Sequence, residues 1–330
     1  MTSGFARHLL TRAGLTACGL VAVSGLAWHT LSESDVAFVF DSWAVPAVAL
    51  LYMAQQGGCS LAWRALVEPP RPSLWHFFRA RWVRASVAAL VPVSGVGAAL
   101  VAVRLMMLAG LEMDMVAASL VLDATIEMVA QIIFTTSGVG LLIASAPWSP
   151  VLSSITAGLL LAVLTTAIFI ASQRAGGLRL IDAGLTSLAR RWRRLSPLSK
   201  ASLHDRLMRL HRQRRAALVA GAWHLAAWLL GAGEIWLVLY ALGRPATLTT
   251  CIIVESLTMA ARSAGFMIPG ALGVQEAALL AVGGLVGLPV ETAMIIAVVK
   301  RLRDIVIGVP GLLVWQWTEG RWFQHRRPAP

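Results

Sequence analysis

"MIPGALGVQEAALLAVGGLVGLPVE", Met267–Glu291, is too apolar for a surface loop, yet Pro269, Gly270 and Gly273 fall where a membrane helix would continue. Proline removes a backbone donor and glycine lowers helix stability, so this stretch predicts a helix break inside hydrophobic surroundings. The carboxylate of Glu276 follows the break directly. Irregular backbone at membrane depth is tolerated only where protein or a water-filled cavity satisfies its polar groups. The segment therefore reads as the bend of a hairpin that faces a cavity.

The rest of the chain gives that bend its setting. Of the 330 residues 58% are hydrophobic and 13% charged, far from the soluble norm, so an integral membrane protein is expected. Tryptophans such as Trp28, Trp43, Trp75, Trp148, Trp315 and Trp317 sit beside the ends of apolar runs, as interfacial rings do. Cys18, Cys59 and Cys251 have no metal-ligand spacing, and neither a metal nor a cofactor is expected. The start of the chain resembles a signal peptide without a convincing cleavage site and is read as an uncleaved first helix. The whole of 1–330 is taken as one membrane domain, with no soluble domain appended.

Net charge is +12, and most of it lies between Arg174 and Arg215, where twelve Lys/Arg face only Asp182 and Asp205. Aromatic interleaving for base stacking is missing, which argues against nucleic acid. A cytoplasmic loop, 173–215, fits better. Within it Ile181, Leu185, Leu188, Trp192 and Leu195 recur at helical spacing opposite arginines, the pattern of a helix lying on an anionic leaflet.

Apolar runs occur near residues 13–31, 38–57, 85–109, 115–146, 150–172, 216–242, 247–287 and 290–317. Lys and Arg concentrate in cytoplasmic loops. Arg7 and Arg12 place the N-terminus inside, "SESD" (32–35) falls outside, and the basic "WRALVEPPRPSLWHFFRARWVR" (63–84) falls inside as a loop. If 85–109 crossed fully, the strongly basic loop would land outside. If 85–109 and 247–287 both dip in and return, every basic segment, including the tail "RWFQHRRPAP", lies inside. The run 85–109 has its own break at Pro92, Gly95 and Gly97. Its arms of about a dozen residues make roughly 18 Å of helix, about half a membrane span. The fold expected is all-α: about six transmembrane helices plus two re-entrant hairpins, with both termini in the cytoplasm of a bacterial inner membrane.

The two hairpins share an order of features. Pro92 and Gly110 are 18 residues apart, as are Pro269 and Gly287; at that offset of 177, Leu111 meets Leu288, Asp114 meets Glu291 and Glu127 meets Asp304. Repeat 1 covers about 75–146 and repeat 2 about 247–317, and entry from opposite faces makes them an inverted pair of the kind that places substrate near the bilayer midplane.

Ionisable residues inside a membrane line a path or pair with one another. Asp123, Glu127 and Gln131 share one helix face; Lys300, Arg303 and Asp304 share another, with Arg301 beside them; Glu255 and Arg262 share a third. Arg104 and Glu234 complete the set, and His224 reads as a packing residue. Substrate attraction by Lys300 and Arg301, or ion pairs that fix helix packing, both account for these charges. No nucleophile elbow, zinc-helix, phosphate-loop or dinucleotide motif is present.

"PGALGVQEAALL" (269–280) resembles the P-G-x-L-G-x-x-E signature of the flippase-like membrane family related to the N-terminal half of lysylphosphatidylglycerol synthases, on Pro269, Gly270, Leu272, Gly273 and Glu276, with Lys300 and Arg301 as its downstream basic cluster. "LVPVSGVGAALVAVRLM" (90–106) is similar to that family's first segment, and the spacing to "DATIEMVAQ" (123–131) resembles its hopanoid-associated branch. Ala99 stands where an acidic counterpart of Glu276 is expected. The resemblance implies translocation of a polar or anionic, hopanoid-related lipid, without aminoacyl transfer. Lys300, Arg301, Arg303, Arg104 and Glu276 would bind substrate; Asp123, Glu127, Asp304, Glu255 and Arg262 would gate or couple protons. Membrane lipids, anionic headgroups and lipid-biosynthesis enzymes are the expected partners. The rival readings are a headgroup-modifying enzyme using Asp123 and Glu127 as acid and base, and a non-transporting accessory subunit.

Overall fold

The computed structural model of the chain describes residues 32, 37–38, 43–91, 95–145, 150–174, 207–210, 212–265, 268 and 271–324. Outside them lie the expected first helix, Pro92, Pro269 and Gly270 of the helix breaks, Trp148, and nearly all of the basic loop with its amphipathic helix. The described residues are all-α. Nine helices of twelve residues or more run in the order α1 (Ala44–Leu66), α2 (Leu74–Leu90), α3 (Gly95–Leu108), α4 (Met113–Ser145), α5 (Pro150–Arg174), α6 (Arg214–Ala241), α7 (Leu248–Ala264), α8 (Val274–Leu285) and α9 (Val290–Gln324). Of these, α4 and α6 are each long and apolar enough to cross a membrane.

Two hairpins are present where the sequence breaks its apolar runs. The first pairs α2 with α3, and the second pairs α7 with α8. Gly95 opens α3, which puts Gly97 in its first turn. Gly273 precedes α8 with φ +82°, a left-handed conformation that suits glycine. The first hairpin begins earlier than its apolar run. Residues 74–84, assigned to the cytoplasmic side from their arginines, form the first half of α2, which starts at Leu74 close to the expected start of repeat 1 near 75; Phe77, Ala80, Arg81 and Val83 are buried there.

The turns that follow the hairpins are built alike. Gly110 and Gly287 have φ +95° and +79°. The Leu111 N–H donates to Met106 O and the Leu288 N–H to Gly283 O; the Gly110 N–H donates to Met107 O and the Gly287 N–H to Gly284 O. Each pair of bonds is related by the same offset of 177. These are 6→1 and neighbouring closures that satisfy the last carbonyls of a helix. Each turn leads into a long helix, α4 of 33 residues and α9 of 35.

Packing crosses between the two sets. The arm α2 packs on α9, α7 packs on α4, and α1 packs along α6. One apolar core gathers Trp63, Phe77, Ala102, Met106 and Val116 from α1–α4, and a second gathers Ile235, Ile253, Leu279 and Ile295 from α6–α9.

Candidate functional site

A cavity of about 350 Å³ opens among α1, α2, α4, α6, α7 and α9, within the range of small-ligand sites. Its wall holds five cations, Arg81, Arg84, Arg262, Lys300 and Arg303, against two carboxylates, Glu127 and Glu255. Tyr52, Gln55, Gln56, Cys59, His224 and Trp228 also line it.

On the first-hairpin side the charges centre on Arg81, which is 5% exposed. Its guanidinium bonds the Asp123 carboxylate and reaches both oxygens of Glu127 at 3.2 Å. Asp123 and Glu127 are one turn apart on α4, so a single planar fork can serve both. His224 Nε2 lies 3.0 Å from Asp123 Oδ1; a carboxylate only accepts, so that nitrogen is the donor. A sulfur of Cys59, a carboxylate oxygen of Glu127 and a ring nitrogen of His224 lie within 4.8 Å of one another, a set of metal-ligand types that the sequence reading missed. Arg81 already occupies both Glu127 oxygens, so a dication there would have to displace a guanidinium.

On the second-hairpin side the centre is Lys300, 1% exposed. Its Nζ lies 2.6 Å from Glu255 and 3.4 Å from Glu234. Arg303 bonds Glu234 at 2.6 Å and Asp304 at 2.8 Å, and its guanidinium carbon sits 4.1 Å from the centroid of the Tyr52 ring. Gln55 donates to the other Glu234 oxygen at 2.5 Å. From Asp304 the chain of charges continues to Arg301 at 3.8 Å, and Arg301 bonds Glu276.

Asp123 and Lys300, the α4 and α9 members of the two centres, are opposite in charge and stand at the offset of 177; their partners do not, since that offset puts Arg81 on Thr258 and not on Glu255.

The structure therefore brings together Asp123, Glu127, Glu255, Arg262, Lys300, Arg303 and Asp304, in the cavity wall or directly behind it. Glu276 and Arg301 lie apart from the wall. Glu276 accepts from the Gly273 N–H at 2.8 Å and caps α8, so the positive end of that helix is met by the chain's own carboxylate. Arg104 is also elsewhere, paired with Glu319 near the end of α9. Gln131 bridges to Met259 O at 3.1 Å and Ser263 Oγ at 2.7 Å on α7. Glu255 and Arg262 share a helix face but do not pair: Arg262 donates to Gln275 at 2.7 Å.

Arg81 and Arg84 were missed because each reads as a positive charge in a loop. A signal was present. Phe77, Arg81, Arg84 and Ala88 recur at three- and four-residue spacing, the periodicity of one helix face.

No curated protein and no solved structure matches the chain. Its apolar helices, broken hairpins and buried charges agree with the match over residues 6–311 to the integral membrane family described as the lysylphosphatidylglycerol synthase TM region, and the chain belongs to that family.

Proposed function

We propose that the protein moves a polar or anionic lipid across the bacterial inner membrane, its headgroup passing through the cavity between the two hairpin-bearing sets of helices. Family membership supports this reading, because that TM region is associated with lipid flippase activity. The observation that carries it is the concentration of ionised residues around a cavity inside otherwise apolar helices. Burying a charge is costly unless it is paired or used, and helix packing alone can be satisfied by far fewer charges.

Two further features support an inverted pair of repeats. The same turn recurs at an offset of 177, and each set's arm packs on the other set's long helix. Arg104, near the open end of the first hairpin, bonds Glu319 close to the C-terminal end of α9, whereas the open end of the second hairpin adjoins the N-terminal end of α9. The two open ends are thus separated by roughly 40 Å of helix at 1.5 Å per residue. A hopanoid-related lipid is the narrower reading and rests on the pattern of residues 92–131. Acid–base catalysis by Asp123 and Glu127 is disfavoured, since both carboxylates serve as acceptors for Arg81. The matched region is the membrane part of the family, with no synthase domain in the match.

The test is lipid translocation in vesicles. Purified protein reconstituted with a headgroup-labelled lipid should speed its exchange between leaflets at least tenfold over empty vesicles. The folded double variant Lys300→Met, Glu255→Met should lose most of that gain. Wild-type protein that leaves exchange at the empty-vesicle rate for phosphorylated, glycosylated and hopanoid lipids alike would refute translocation.

A further inference from the structure

We propose that the cavity recognises a phosphate group, and that Arg84 and Arg262 are the residues that hold it. This deepens the lipid-translocation reading and rests on it for the claim that the phosphate belongs to a lipid headgroup.

Five cations face the cavity, but they are not equally committed. Arg81 is paired with Asp123 and Glu127, Lys300 with Glu255 and Glu234, and Arg303, through its two terminal nitrogens, with Glu234 and Asp304. Arg84 forms no hydrogen bond or salt bridge with a described residue, while Arg81 bonds both oxygens of the nearby Glu127. The bond of Arg262 goes to the neutral amide oxygen of Gln275. Two partly buried guanidiniums thus face one cavity with no carboxylate at salt-bridge distance from either among the described residues. Guanidinium forks match phosphate oxygens in pairs, and such charge-assisted bonds are the strong ones.

An independent observation points the same way. Arg303 lines the cavity and is 3% exposed, yet its Nε–H has no hydrogen-bond partner among the described residues. A buried polar atom without a partner costs free energy, and a ligand oxygen or hydroxyl in the cavity would satisfy it. Elsewhere the wall is apolar at Ala88, Ala227, Trp228 and Met259. At about 350 Å³ the space suits a phosphate with a small polar substituent and leaves acyl chains outside. The sequence had pointed to Lys300 and Arg301 as headgroup cations. Ion pairing within the fold occupies both.

The experiment measures retention of defined lipids on purified full-length protein by native mass spectrometry, after exchange into detergent containing equal dioleoylphosphatidate and glucosyl dioleoylglycerol. Wild type is expected to retain the phosphate lipid about tenfold over the glucosyl lipid. Arg84→Gln, Arg262→Gln together should reduce that ratio to about one, with the glucosyl lipid unchanged. Should the glutamine pair fail to fold, Arg84→Lys, Arg262→Lys decides: it keeps both charges but not the planar forks, so the preference should drop several-fold. An unchanged preference in the folded variants overturns the assignment. Protection of the wild type against heat by inorganic phosphate, with no retention of dioleoylphosphatidate, would assign the site to free phosphate and overturn the headgroup. Leaflet exchange keeps the two proposals separate. Arginine-dependent retention without translocation leaves the phosphate site standing while the transport reading fails; translocation with no dependence on either arginine does the reverse.

Discussion

Lys300 shows why residue type and position carry different information. A lysine in the middle of an apolar helix can attract a ligand or answer a carboxylate, and both uses require the same side chain. Here Glu255 and Glu234 lie on two different helices and converge on its ammonium. Removing the lysine strands two buried carboxylates, and breaking a buried pair by deleting one partner costs about 3–5 kcal/mol. Lys300→Met should therefore lower the thermal unfolding temperature in detergent by several degrees or abolish folding. Adding Glu255→Met should restore most of the loss, because Glu234 keeps Arg303 and Gln55. If the double variant is no more stable than the single, the lysine is not held chiefly by that pair.

At the scale of elements, the cross-packing is made by small residues. A Cβ added at Gly138 on α4 would come 1.8 Å from Ser256 Oγ and 2.9 Å from Ser256 Cβ on α7; one added at Gly311 on α9 would come 2.0 Å from Ser86 Oγ and 2.9 Å from Ser86 Cβ on α2. In both cross-packings a glycine of one set's long helix meets a serine of the other set's arm. The Cβ contacts cannot be relieved by a rotamer change, since they lie next to the backbone. Gly138→Ala is expected to cost about 1–3 kcal/mol, as overpacking does, read as a lower unfolding temperature. Glycine to alanine at Gly140, whose added Cβ meets nothing within 4 Å, should leave that temperature nearly unchanged. Equal effects at the two positions would mean that the α4–α7 approach is looser than described. The hairpins themselves were legible in the sequence as Pro/Gly breaks between apolar arms. The length of the first arm was not, because burying Arg81 needs Asp123 and Glu127 from a helix some forty residues on.

For the molecule as a whole, the proposed inverted arrangement, with the open ends of the two hairpins at opposite ends of α9, makes a prediction of topology. With native cysteines replaced, a cysteine at Gly110 should label only from the cytoplasmic side of oriented membrane vesicles, and one at Gly287 only from the other side. Labelling of both from one side would remove the inverted arrangement and the central cavity with it. The expected sidedness itself comes from the preference of Lys and Arg for the cytoplasm.

What the sequence determined by itself was the environment and the list of parts: an all-α chain for a membrane, two broken apolar segments, and charges too deep to be solvated. Those features follow from local chemistry, from the spacing of apolar residues and from the residues that interrupt a helix. Only the tertiary structure decided which charges pair. Arg81 with Asp123 and Glu127, and Lys300 with Glu255 and Glu234, are contacts between distant helices, and local periodicity holds no record of which face meets which. The same folding leaves Arg84 and Arg262 as the cavity cations with no carboxylate at salt-bridge distance among the described residues.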